Sequence, residues 1–390
     1  MRTYRRLPQF LLVLSLAGLA VPTLLAGCQA PATKEEPAQP FVFRSLNLRQ
    51  KDPSGRPLWE ISSPEARYDL SRRVAQARDL SGTIYAKGKP LYTITASSGT
   101  VINDGEVVQL EGPTQLVRVG PKPLVVTATR VRWYSRQERM EIDRSPRASQ
   151  GDLRLTARRA RFWIQQDKLE LRGRPLLERS DEGTWTLALT SADWFLGTGE
   201  LIGRGPVRGE RRLAGSGLQT LTSPSLTGNS LRQVIDLQAP VQVLDPGRKA
   251  RLDARATRLE LDVERISSPH PFRAQLDQSR LSGQGFEALG GSQTLVIPQA
   301  CRLQQPTDSL VANRCTWNWQ TNQVTAQGSV ELRRSAFQQV TRAQQLQGVA
   351  TQQGQVVFSS PGSRVESQLK VPPPRRDARK QSPKAPPFGL

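Results

Sequence analysis

The sequence is poor in the residues that most chemistry needs. Among its 390 residues are one His, three Cys and two Met. A single imidazole and three thiols cannot furnish a His-rich catalytic metal centre or a four-ligand zinc cluster. They also remove most nucleophile–base pairings that depend on histidine. Aromatic residues make up only 6% of the chain, so any core rests on aliphatic side chains. Acidic residues are outnumbered by basic ones, 34 to 55, and the carboxylates are scattered with no spacing that marks an acid/base pair. No glycine-rich loop has the form of a phosphate cradle. These shortages point away from an enzyme, and no cofactor or metal is expected.

What is present is foldable. The hydrophobic fraction is 37%, an ordinary value for folded protein once glycine is added. The net charge of +21 divides into +3 over 1–27, −1 over 28–40, +14 over 41–369 and +5 over 370–390. The basic excess is thus spread through the body.

Residues 1–27 read as an export signal. Arg2, Arg5 and Arg6 precede an apolar run from Phe10 to Leu25, which ends at Leu25-Ala26-Gly27-Cys28. That ending resembles the bacterial lipoprotein lipobox. The resemblance implies that Cys28 is lipidated as the first residue of the mature chain. The run is also close to the shortest span that crosses a bilayer, so a retained transmembrane anchor is the alternative. In both cases the body faces the periplasmic side. Residues 28–40 read as a flexible tether. Residues 370–390, rich in Pro, Lys and Arg, read as a disordered tail.

Between 41 and 369 the pattern is alternation with period two, the mark of half-buried strands. Tyr92, Ile94 and Ala96 share one face, as do Leu153, Leu155 and Ala157. A longer period overlies this. Strands ending near Thr-Ala recur, with starting threonines at 95, 127 and 156 and a further copy that begins from Thr190. An earlier copy lies around Ala66–Gly82 and a degenerate one around Asn313–Gly328. Such spacing means stacked supersecondary units that bury one face against their neighbours. The expected fold is all-β: an elongated antiparallel two-sheet jelly roll, or β-taco, with an aliphatic interior and open edge strands at its ends.

The order of motifs in 41–130 carries a family resemblance. Phe43-Arg44-Ser45-Leu46-Asn47-Leu48 leads to Leu58-Trp59-Glu60-Ile61. Then come Ala66-Arg67-Tyr68-Asp69, Leu80-Ser81-Gly82-Thr83-Ile84, Tyr92-Thr93-Ile94-Thr95-Ala96 and Val108-Gln109-Leu110-Glu111-Gly112. This order resembles the LptC family, the periplasmic component of lipopolysaccharide export. Weaker similarity to the related LptA/OstA-like repeats continues to about 210. The resemblance implies that acyl chains of lipopolysaccharide occupy the interior. It implies strand pairing at the edges, with the inner-membrane ABC transporter subunits on one side and an LptA-like protein on the other. It implies a site on the periplasmic side of the inner membrane; the lipobox also admits the inner leaflet of the outer membrane. Residues 41–209 would form the family's jelly roll, and 210–369 would continue the same body and lengthen the bridge.

Candidate groove residues are the inward positions Ile84, Tyr92, Ile94, Val108, Leu110, Val126, Trp133, Ile142, Leu155, Phe162 and Leu171; the same positions also suit plain core. Cys301 and Cys315 flank a turn at Pro306-Thr307-Asp308-Ser309, where a simple hairpin would set them opposite each other for a disulfide. His270 reads as a loop residue. The basic exterior suits an anionic lipid, polysaccharide or cell wall, and export argues against nucleic acid. A structural or cell-wall-binding β-repeat lipoprotein is the second functional reading.

Overall fold

The computed structural model describes residues 41–369, except 122, 181–183, 214–216, 336–337 and 350–354. Cys28, the tether and the basic tail lie outside the described residues. Almost every described element is an antiparallel strand. Among the described residues no helix is long and apolar enough to cross a membrane.

The chain runs as one folded ribbon with two faces. Long strands such as Lys89–Ile102 and Val107–Arg118 pair with each other along their length, but the pairing breaks register in the middle, between Ala96 and Ser98. Each half of such a strand belongs to a different sheet. One sheet takes Leu46–Lys51, Pro57–Ser63 and then the second half of Val74–Ala86. The other takes Phe41–Phe43, Glu65–Asp69 and the first half of the same strand. The register breaks mark a seam, where every strand or strand pair crosses from one sheet to the other. They recur at Glu111/Thr114, Arg204/Val207, Ser268/Pro271, Ser282/Gln284 and Gln327/Val330.

The seam selects its residues. A strand that bends must interrupt its ladder, and Gly, Pro and short polar residues do this at least cost. Gly205-Pro206 stands at one crossing, where a Cβ on Gly205 would overlap the Pro224 carbonyl. The side chains just inside the seam are small, because the two sheets meet there: Ala66, Ala77, Ala96, Ala128, Ala148, Ala160, Ala192, Ala312 and Ala326 are all buried.

Away from the seam, each sheet ends in a rim of tight turns. Along one rim the strand ends Asp69, Ile102, Tyr134, Trp163, Phe195, Asn229, Glu260, Leu289, Asn318 and Val349 lie 29–34 residues apart. Turn residues Asn103, Asp167 and Asn322 have φ of 50°, 48° and 57°, a region that Asn and Asp tolerate better than most. The spacing is as regular after residue 210 as before it. Position 210 itself falls inside the strand Glu200–Leu213, which pairs with Gly217–Asn229. The repeat that looks degenerate in sequence is therefore complete in structure. Gln, Ser and Thr replace aliphatic residues in these later strands, which blurs the alternation without changing the turns.

Two sequence expectations change. His270 is not in a loop; it is exposed at the bulge inside the strand Arg265–Leu276. Cys301 and Cys315 do not face each other across one hairpin. Cys301 is opposite Ala312 in one sheet, and Cys315 is opposite Ile297 in the other. Asn313 sits at the seam between them, so the chain has already crossed over before it reaches Cys315. The two cysteines are joined by a disulfide that ties one sheet to the other, with Cα atoms 5.9 Å apart.

The exterior carries the charge, largely in pairs. Arg130 grips Asp143 with two guanidinium nitrogens, and Arg132 adds a third bond at 3.1 Å. Arg172, Arg204 and Lys168 surround Asp193. Asp193 is buried, so its three cations compensate a desolvated charge; the more exposed pairs of the surface add only about 0–1 kcal/mol each.

Two predictions follow from these contacts. The disulfide closes a 14-residue separation, so the double variant Cys301→Ser/Cys315→Ser should lose about 3 kcal/mol. In a stacked repeat that loss is local. Amide exchange in Thr294–Ile297 and Arg314–Asn318 should accelerate accordingly; unchanged exchange would contradict it. Hydrogen bonding from Arg130 holds the Asp143 carboxyl below its ordinary value, against a smaller desolvation effect. A depressed carboxylate stabilises the fold above its unfolded value, about pH 4, and that contribution vanishes as pH falls through the folded value. The urea midpoint of Asp143→Asn should therefore depend less on pH below about 4 than that of the wild type.

Candidate functional site

The interior between the sheets runs through the described body as two buried clusters, one from Trp59 to Val241 and one from Ala254 to Leu346. All eleven inward positions named from the sequence point into it and are at most 5% exposed. They come from both sheets. Tyr92, Ile94, Val126 and Leu155 lie on one; Val108, Leu110, Trp133, Ile142, Phe162 and Leu171 lie on the other. Ile84 pairs with Tyr92 and Trp59.

In the first part of the stack this interior is filled. Trp59 and Trp133 meet edge-on across the gap with ring centroids 5.1 Å apart. Tyr92 and Phe162 do the same, also at 5.1 Å. Such contacts add about 0.5–1.5 kcal/mol to the burial itself. These four aromatics thus span the gap between the sheets.

Polar contacts close the rims over this filled section. The Tyr92 hydroxyl, from one sheet, donates to Asp167 in a turn of the other. Arg118 reaches the same carboxylate at 3.3 Å. Burial first, and then the Asp167 charge, push the Tyr92 phenol well above its ordinary value, so it remains a donor at any physiological pH. Farther along, Gln150 accepts from Ser230 at 2.9 Å, and Ser230 accepts from Trp194 Nε1 at 3.2 Å. The Arg179 guanidinium donates to the Leu261 carbonyl at 2.7 Å. The Gln150–Ser230 and Arg179–Leu261 contacts join the two rims.

Between these bridges lies a cavity of about 400 Å³. Its walls are Leu153 and Leu177 from one sheet and Leu201, Ile235 and Leu261 from the other. Gln233 Oε1 lines it with no hydrogen-bond partner. None of the eleven named positions lines this space. The residues that do were legible as alternation, but sequence gives no sign of where facing side chains fall short of each other.

The ends of the stack expose unpaired strand edges among the described residues. At the N-terminal end Phe41 and Val42 are 57% and 62% exposed. At the C-terminal end Val357 and Leu369 are 67% and 60% exposed. Apolar residues on open edges are a hazard unless another strand covers them. No group of three or more His, Cys, Asp or Glu side chains gathers into a metal-holding cluster among the described residues.

The rim contacts make a prediction. Asp167→Ala leaves the Tyr92 hydroxyl and Arg118 without their shared acceptor, at a cost of about 1–3 kcal/mol. Amide exchange should rise in the strands ending at Arg118 and Trp163. Protection equal to the wild type would show that the bridge does not hold the rims together.

Comparison with known proteins gives one result. Residues 10–174 match the family model described as lipopolysaccharide-assembly, LptC-related. No curated protein matches the chain.

Proposed function

From the premise that this chain, through residues 10–174, belongs to the LptC-related family of lipopolysaccharide assembly, we propose that it is a membrane-anchored periplasmic conduit of lipopolysaccharide export. It takes the lipid from the inner-membrane ABC transporter and passes it toward an LptA-like bridge and the outer membrane. The observation that carries this reading is the apolar interior between two polar-faced sheets, packed in the early layers and hollow around Leu177 and Ile235.

Each part of the proposal has a physical basis. Acyl chains gain roughly 0.8 kcal/mol per buried methylene in apolar surroundings. A periplasmic route therefore needs a continuous apolar lining, which the two inner faces supply. The lipid enters by separating the rims, because among the described residues the two sheets are joined covalently along the seam and at Cys301–Cys315. The exposed edges at Phe41–Phe43 and Glu366–Leu369 suit strand addition by a neighbouring protein at each end. The anchor is Cys28 or the apolar run before it. Residues 210–369 continue the ribbon and lengthen the bridge. The reaction that drives transport is ATP hydrolysis in a partner, and this chain contributes no catalysis.

Depleting the protein should make lipopolysaccharide accumulate at the inner membrane. Purified protein should carry lipopolysaccharide, and Ile94→Glu or Val126→Glu should remove it while the fold, read by circular dichroism, persists. Neutralising exterior Arg130 and Arg154 should leave the bound lipid in place. The opposite pattern, with binding that depends on surface arginines and disappears in salt, would replace the conduit with a structural or cell-wall-binding lipoprotein.

A further inference from the structure

Arginine is not spread evenly over the outside of the fold. Six exposed arginines flank the seam between residues 144 and 208: Arg144, Arg147, Arg158, Arg159, Arg174 and Arg208. They stand within five successive crossings, from Ser145-Pro146 to Gly205-Pro206. At about 4.8 Å per strand, these crossings form a ridge about 20 Å long. Later crossings such as Pro224, Pro240 and Gly285 are neutral, and Arg255 and Arg314 stand singly. None of the six makes an ion pair or side-chain hydrogen bond among the described residues.

The surroundings make this ridge a site for anions. Its own acids are already taken. Asp143 is held by Arg130 and Arg132, and Asp193 by Arg172, Arg204 and Lys168. Glu111 lies opposite Arg130, and Glu178 and Glu210 stand farther from the seam. Arginines also face each other directly across strands, Arg130 with Arg144 and Arg159 with Arg172. Like charges so placed destabilise the pair, and a bound anion relieves them. The Arg158 side chain lies along the next crossing: a Cβ added to Gly173 would come 2.8 Å from it. A planar guanidinium offers two parallel N–H donors to a carboxylate or phosphate, so a row of them suits a repeated anion.

Position narrows the partner. The ridge is on the seam, the margin opposite the rims, so a lipid that enters between the rims keeps its head group away from it. Among the described residues no large hydrophobic side chain is exposed between Val119 and Leu218. A protein interface needs such anchors. Open strand edges lie at both ends of the stack, so a bridge paired there turns its seam sideways, into the space between the membranes. We propose that the ridge docks the body onto an extended, carboxylate-bearing glycan of the cell wall, whose acidic groups pair with these six guanidiniums. The choice of a wall glycan rests on the conduit reading; the anion-binding ridge does not.

The test sediments the full chain, held in phosphatidylcholine nanodiscs, with purified protein-free peptidoglycan. The wild type should pellet with the glycan and be released by salt, which screens exposed charges. The variant Arg144→Gln/Arg147→Gln/Arg158→Gln/Arg174→Gln should bind about tenfold more weakly. A charge-matched control, Arg255→Gln/Arg273→Gln/Arg302→Gln/Arg314→Gln, removes exposed arginines of the later repeats. It should bind within about twofold of the wild type. All eight side chains are exposed, and circular dichroism reports that both variants fold. A ridge variant that pellets like the wild type, or an equal loss in the control, overturns the proposal. Displacement from the glycan by phosphatidylglycerol vesicles also overturns it and assigns the ridge to a membrane surface. Lipopolysaccharide carriage is read separately through Ile94 and Val126, so the conduit reading and the ridge can fail independently.

Discussion

The structure depends on one constraint: each chain segment must keep its apolar row inward while it passes from one sheet to the other. A strand has two faces with period two, and a slip of one residue would turn the whole row outward. The seam solves this by inserting a bulge, a Gly-Pro step or a short break at every crossing. Once the seam exists, much else follows. Small residues line it because the sheets converge there, large residues stand toward the rims because the sheets diverge, and the turns fall at nearly constant spacing.

That geometry produces a gradient along the stack. Early layers are interlocked by Trp59–Trp133 and Tyr92–Phe162, and their rims are bridged through Asp167. Middle layers are bridged but hollow around Leu177 and Ile235. Later layers form a separate buried cluster that begins at Ala254, with one ring contact, Phe272 with Phe286, and a disulfide. A conduit that must both hold a lipid and let it move benefits from such variation, because a uniformly dense interior would admit nothing.

Much of this was legible in the sequence, for a definite reason. Alternation is local, so the inward positions from Ile84 to Leu171 could be assigned one strand at a time. The recurrence of Thr-Ala steps gave the repeat length, which the rim turns match. What stayed hidden depends on contacts between distant strands. The hairpin expected to join Cys301 and Cys315 ignored the crossing at Asn313, which sends them to different sheets. The loop assigned to His270 was inferred from its flanking prolines, Pro269 and Pro271; these instead create the bulge of a long strand. The later repeats were blurred because their inward rows include Gly283, Ser223 and Thr341, which weaken the hydrophobic signal but keep the register. Rim bridges such as Tyr92 to Asp167 join residues far apart in the chain, and nothing in the local pattern marks them.

The central claim is that lipid travels between the sheets. Photo-crosslinking in living cells tests it most directly, with a benzophenone side chain placed in turn at Ile94, Leu155, Ile235 and Leu303, and at the outward positions Arg130 and Arg154. The account predicts lipopolysaccharide adducts from the inward series along the body and none from the outward pair. Adducts confined to the outward positions would contradict it.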